Sequence, residues 1–92
     1  MSILARKKLF FKESVLLNFE EDTFRFYNIE VIAIGYNQFE IISHYGKLGT
    51  KGTRNVKPET NYKRAMAEAY NRYYEKKAIG YINKEDILVW FS

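Results

Sequence analysis

The apolar residues of this chain change their spacing once, just after Pro58, and that change dictates what the chain can build. Before it they recur every second residue; after it, every third or fourth. Leu9, Phe11, Val15, Leu17 and Phe19 keep one register, as do Tyr27, Ile29, Val31 and Ala33 further on. A period of two gathers such residues on one face of a β-strand. Strands are therefore expected over residues 9–19, 24–34 and 38–45. Phe26 and Ile32 fall on the opposite face of the second strand, so that side is not purely polar. Gly35-Tyr36-Asn37 supplies turn residues for a hairpin. A short fourth strand is expected over residues 53–56. Pro58 has no N–H for a ladder, so it ends that strand or lies on an edge.

From Asn61 the pattern is helical. Ala65, Ala69 and Tyr73 recur every four residues beside Met66 and Tyr70, which predicts an amphipathic helix over residues 61–77, about four turns long. Asn61 suits the N-cap, Lys76 and Lys77 suit the negative end of the dipole, and Gly80 suits the residue beyond the C-terminus. Ala65 and Ala69 are small enough to let the helix lie close on the sheet. Tyr70, Tyr73 and Tyr74 read as core and rim rather than as a stacking platform. The tail Ile87-Leu88-Val89-Trp90-Phe91 is apolar and β-prone. It is expected to add a strand or cover the sheet, with Trp90 mostly buried. The order β-β-β-β-α-β is that of an α+β fold, a curved antiparallel sheet of four to five strands with one helix packed on it. At 92 residues a single domain over 1–92 is expected.

Composition narrows the function. Hydrophobic residues at 47% and aromatics at 17% are ample for a core. There is no cysteine, which removes disulfides and thiolate metal sites and is compatible with a reducing cytosol. One histidine and no acidic cluster at ligand spacing leave no metal or cofactor to expect. After Arg6-Lys7-Lys8 the apolar run is only Leu9-Phe10-Phe11, too short for a signal peptide core or a membrane span. A cytoplasmic protein is the expectation. The net charge is +4, but its distribution is uneven. Residues 44–64 carry Lys47, Lys51, Arg54, Lys57, Lys63 and Arg64 against Glu59 alone, whereas residues 13–30 carry five acids and only Arg25. One edge is expected to face an anion.

That basic stretch begins with His44-Tyr45-Gly46-Lys47-Leu48-Gly49-Thr50-Lys51-Gly52. A strand that ends on an aromatic ring and runs into a Gly-Lys loop can hold an anionic backbone. Glycine permits close main-chain approach and lysine supplies charge. The spacing lacks the Gly-Lys-Ser/Thr of a P-loop and no helix follows it, so mononucleotide binding is not expected. Tyr45 is the candidate stacking ring. Lys51, Arg54 and Lys57 read either as phosphate contacts or as ordinary solvated cations. Arg25 either reaches phosphate or pairs with Glu40 or Asp22. His44 is the lone candidate general base, with no carboxylate or nucleophile beside it in sequence, and no enzymatic activity is expected.

The pattern Arg25-Phe26-Tyr27-x-Ile29, followed by Phe39 through Tyr45-Gly46-Lys47-Leu48-Gly49-x-x-Gly52, resembles the WGR domain family. That family is named for a Trp-Gly-Arg signature after an aromatic-tyrosine strand. Ala65, Ala69, Tyr73, Lys76 and Gly80-Tyr81 fall at the spacing of its A-x3-F-x3-F-x2-K-x3-GY ending. The likeness runs from about Leu9 to Tyr81. Tyr45 stands for the signature tryptophan and Lys47 for its arginine. Thr53 stands where glutamine is common, and Phe24 where a polar residue is usual. WGR domains occur beside the catalytic domains of poly(ADP-ribose) polymerases, where they recognise DNA breaks, and in bacterial proteins. The resemblance implies a non-catalytic module that binds nucleic acid, DNA ends or nicks above all. Tyr45 would pack on a terminal sugar, and Gly46 and Lys47 would lie at the phosphates, with Arg25 in the family's basic position. A chain of this length has no room for a polymerase domain, so a free-standing module is expected. The alternative is a protein-interaction module that docks a protein partner or a second copy of the chain through exposed aromatics and the apolar tail.

Overall fold

A computed structural model of the chain describes residues 2–13 and 23–84. The strands are β1 (Ser2–Glu13), β2 (Thr23–Gly35), β3 (Gln38–Lys47), β4 (Thr53–Glu59) and β5 (Ile82–Asn83), with α1 (Tyr62–Ala78) between the last two. They form one open antiparallel sheet in the order β4-β3-β2-β1-β5, and α1 packs on one of its faces. The fold is the expected α+β arrangement.

Two boundaries differ from expectation. β1 begins at Ser2 rather than Leu9, because Arg6, Lys7 and Lys8 interrupt the apolar alternation without ending the strand. Among the described residues, β5 pairs with β1 only at Leu9 and Phe10, so within them these cations sit on a stretch of edge, where charge is tolerated and discourages unwanted pairing. A register shift between Ile3 and Ala5 further blurs the period. β4 runs through Pro58 to Glu59, which an edge strand permits. Residues 14–19 of the expected first strand, and the tail 87–91 with Trp90, lie outside the described residues.

The helix ends are built by local chemistry. Asn61 Oδ1 accepts from the Arg64 N–H at 3.0 Å, capping the first turn. At the other end the Tyr81 N–H donates to the Lys76 carbonyl at 3.0 Å and the Gly80 N–H to the Lys77 carbonyl at 3.2 Å. This paired closure turns the chain through a left-handed residue, here Gly80 at φ +114°, and lays Tyr81 beside Lys76.

Under the first half of α1 lies the core. Ala65 and Ala69 contact a layer of Leu9, Tyr27, Ile29, Val31 and Ile41, with Ala5, Phe39, Met66, Tyr73 and Tyr81 around it. The reverse face of the sheet buries Phe26, Ile32 and Ile42, in line with the apolar residues expected there. Of the helix tyrosines only Tyr73 joins the core. Tyr70 and Tyr74 are 51% and 62% exposed and stack on each other at 6.2 Å, because residues four apart share a helix face.

Candidate nucleic-acid interface

Residues directly opposite in an antiparallel ladder share a face, so the register fixes which side chains meet. Arg25 pairs with Lys47, Tyr27 with Tyr45, and Ile29 with Ser43, while Thr53 and Asn55 of β4 stand opposite Tyr45 and Ser43. Because Ile29 is in the helix-side core, all of these positions look toward α1. On α1, the stripe that starts with Ala65 and Ala69 continues as Arg72 and Lys76. The alanines touch the sheet; the long cations span a gap. An open cleft of about 490 Å3 results, floored by Arg25, Tyr27, Ser43, Tyr45 and Asn55 and walled by Arg72, Lys76 and Tyr81.

One side of the cleft is aromatic. The Tyr45 and Tyr27 rings stack with centroids 5.4 Å apart and planes 16° from parallel. Tyr81 meets Tyr27 edge-on at 6.2 Å and is backed by Phe11 at 5.2 Å. Tyr45 is 37% exposed, so its ring has an uncovered surface. The Lys76 ammonium lies 4.9 Å from the Tyr27 centroid and 5.9 Å from that of Tyr81, a cation over electron-rich faces.

The other side is a chain of charges. Arg72 Nη1 donates to Ser43 Oγ at 2.6 Å and Nη2 to Glu68 Oε1 at 3.2 Å. The same Glu68 oxygen takes Lys57 Nζ at 3.3 Å. The hydrogen bond from Lys57, with the charges of Lys57 and Arg72 behind it, holds the Glu68 carboxyl below its usual range against a smaller opposing effect of burial. Ser43 is the buried polar residue of the sheet, and Arg72 satisfies its hydroxyl.

The glycine loop is pinned to the strands. The Leu48 N–H donates to the Phe24 carbonyl at 2.8 Å, and Thr50 Oγ1 to the Lys47 carbonyl at 2.7 Å. Gly52 has φ +68°, and a Cβ there would strike the Tyr45 carbonyl and come within 2.8 Å of Phe26 Cζ. Only glycine lets the returning chain lie this close to the strand end that carries Tyr45.

The sequence candidates therefore divide. Tyr45 and Arg25 line the cleft, and Lys47 stands opposite Arg25 on the same side of the sheet. Gly46 pairs with Phe26 at the strand end. Arg54 does not border Tyr45: it pairs with His44 and so projects from the reverse face, since one residue of register inverts a side chain. Lys51 sits in the loop and its carbonyl accepts from His44 Nε2. His44 is thus engaged on the reverse face, edge-on to Phe26 at 5.0 Å. Lys57 is tied to Glu68. Glu40 lies opposite Ile32 and Pro58, on the face away from Arg25, which removes it as a partner of that arginine; Asp22 lies outside the described residues. Ser43, Asn55, Arg72, Lys76 and Tyr81 complete the cleft without having been singled out as site residues. The signal for two of them was present: Arg72 and Lys76 extend the alanine stripe by one helical step each.

Among the described residues no group of acids and histidines is arranged to hold a metal, and no helix is long and apolar enough to cross a membrane. The family model of the WGR domain matches residues 13–87. No curated protein and no solved structure matches the chain.

Proposed function

The chain belongs to the WGR family, and from that premise we propose that it is a non-catalytic module that binds DNA at ends or nicks through the cleft under the second half of α1. One observation carries the reading: a part-exposed tyrosine at a strand end shares a cleft with Arg25, Arg72 and Lys76. The Tyr45 ring offers a stacking surface to a terminal sugar or base, which is sequence-tolerant. The cations take the flanking phosphates, which supply most of the affinity and none of the sequence preference. Lys47 keeps the charge of the signature arginine without its fork, so it contributes attraction rather than bidentate geometry. Lys51 and Arg54 lie off the Tyr45 side and engage only a duplex that wraps round the β3–β4 end.

The test is a panel of blunt, nicked, 5′-phosphorylated and single-stranded oligonucleotides at two salt concentrations, read by fluorescence anisotropy. DNA ends are expected to bind best, with affinity falling steeply as salt rises. Lys76→Glu should weaken binding and flatten the salt slope. Equal and poor binding by the wild type and by Lys76→Glu at low salt would end the reading. A second reading, docking of a protein partner, has its own observation in the exposed Tyr70–Tyr74 pair of α1. It predicts an association that tolerates salt and is lost in Tyr70→Ala.

A further inference from the structure

An acid beside a phosphate-binding cleft ought to repel its ligand, yet Glu68 is bonded into the wall. Resting on the nucleic-acid reading above, we infer that Glu68 is a positioning residue, which binds no DNA itself but fixes the Arg72 guanidinium in the attitude that faces the cleft.

Arginine carries a long side chain with many rotatable bonds. A free arginine samples many rotamers and must be ordered when a ligand arrives. Arg72 is ordered beforehand: one terminal nitrogen is held by Ser43 at 2.6 Å and the other by Glu68 at 3.2 Å. Two anchors on a rigid planar fork fix its plane as well as its place. Two of the five N–H donors of a guanidinium are used, and the rest remain for a phosphate. The two anchors differ in kind. Ser43 belongs to the sheet, whereas Glu68 lies one turn back on the same helix, so together they lock the helix stripe to the floor of the cleft. The cost of the negative charge is offset at its source, because Lys57 reaches from β4 to the same carboxylate oxygen at 3.3 Å. Lys57, Glu68 and Arg72 together keep one net positive charge, and of the three it is Arg72 that lines the cleft. Lys57 thus serves the site by neutralising Glu68.

Charge and position make opposite predictions for Glu68→Gln, which makes the inference testable. Removing an acid should tighten binding of a blunt fluorescent DNA duplex if only the summed field matters. If Glu68 positions Arg72, binding should weaken by about fivefold, because the glutamine oxygen still accepts but the bond to Arg72 loses its charge assistance and with it part of its hold. The loss should also vanish in an Arg72→Ala background, since a residue that acts only through Arg72 has nothing left to position. Circular dichroism and thermal melting of each variant exclude a folding effect. Tighter or unchanged binding by Glu68→Gln, or an undiminished loss in the Arg72→Ala background, overturns the inference while Tyr45→Ala and Arg72→Ala still weaken binding. Should those two variants bind as the wild type does, the nucleic-acid reading itself fails, and this inference with it.

Discussion

The two halves of α1 lie on the same face of the same sheet and do opposite things. The first half presents Ala65 and Ala69 to Ile29, Val31 and Ile41 and closes a dry core. The second half presents Arg72 and Lys76 to Ser43, Tyr27 and Tyr45 and holds a cleft open. Backbone geometry is continuous between them, so the difference lies in side-chain length and polarity. A methyl group lets the helix approach closely and excludes water. A guanidinium or ammonium on a long stem needs partners and solvent. One stripe on one helix thereby makes both the anchor and the wall of the candidate site. The candidate site is lined mostly from a helix and strands, although functional residues commonly sit on loops.

The contrast can be broken most severely in the dry half. Ala69→Glu would place a carboxylate where the alanine is 7% exposed, and should cost about 3 kcal/mol or more. The cooperative thermal transition should disappear or fall steeply, and a variant that melts with the wild type would show that the first half is not the anchor. In the open half the expected loss is one of binding. Tyr45→Ala should cost about 1–3 kcal/mol of affinity for DNA, read by anisotropy, with a smaller effect on the melting temperature than Ala69→Glu. Ser43→Val lies at the boundary: it removes the buried acceptor of Arg72 and should cost about 1 kcal/mol of stability in urea titration. The smallest effect is electrostatic. The Glu68 carboxyl is depressed in the folded chain, so its contribution is fully present above its unfolded value, 4.5, and is lost as pH falls through the lower folded value. The Glu68 side chain is 35% exposed, enough for solvent to screen its pairs, so less than about 1 kcal/mol is at stake. Urea titrations across that acid range should show Glu68→Gln with a flatter acid limb than the wild type.

Much of this architecture can be read from period alone. β2, β3 and α1 fall where alternation and the four-residue spacing put them, because one buried face imposes its rhythm on the sequence. The start of β1 was not legible. Among the described residues Arg6, Lys7 and Lys8 belong to an edge, where the rhythm is relaxed. The face of Arg54 was not legible either, since it depends on how many residues the glycine loop spends before pairing Thr53 with Tyr45. Tyr45 is legible because it ends an alternating strand just before the Gly-Lys loop, and Arg25 because it falls at the WGR family's basic position; both line the cleft. Arg72 could not be joined to Ser43, 29 residues away, by any local pattern. That contact exists only once the helix has been laid across the sheet.

The lysine over the tyrosine rings has a consequence for spectroscopy. With its ammonium 4.9 Å from the Tyr27 centroid, Lys76 carries its last methylene protons into the shielding region above an aromatic ring. Those protons should resonate upfield of their counterparts on lysines that point into water. A phosphate that draws the ammonium outward would return them toward ordinary shifts. A base or sugar laid on Tyr45 would instead perturb the tyrosine ring signals. The cleft thus contains its own pair of magnetic reporters, one for charge and one for stacking, and both can be read without attaching a label.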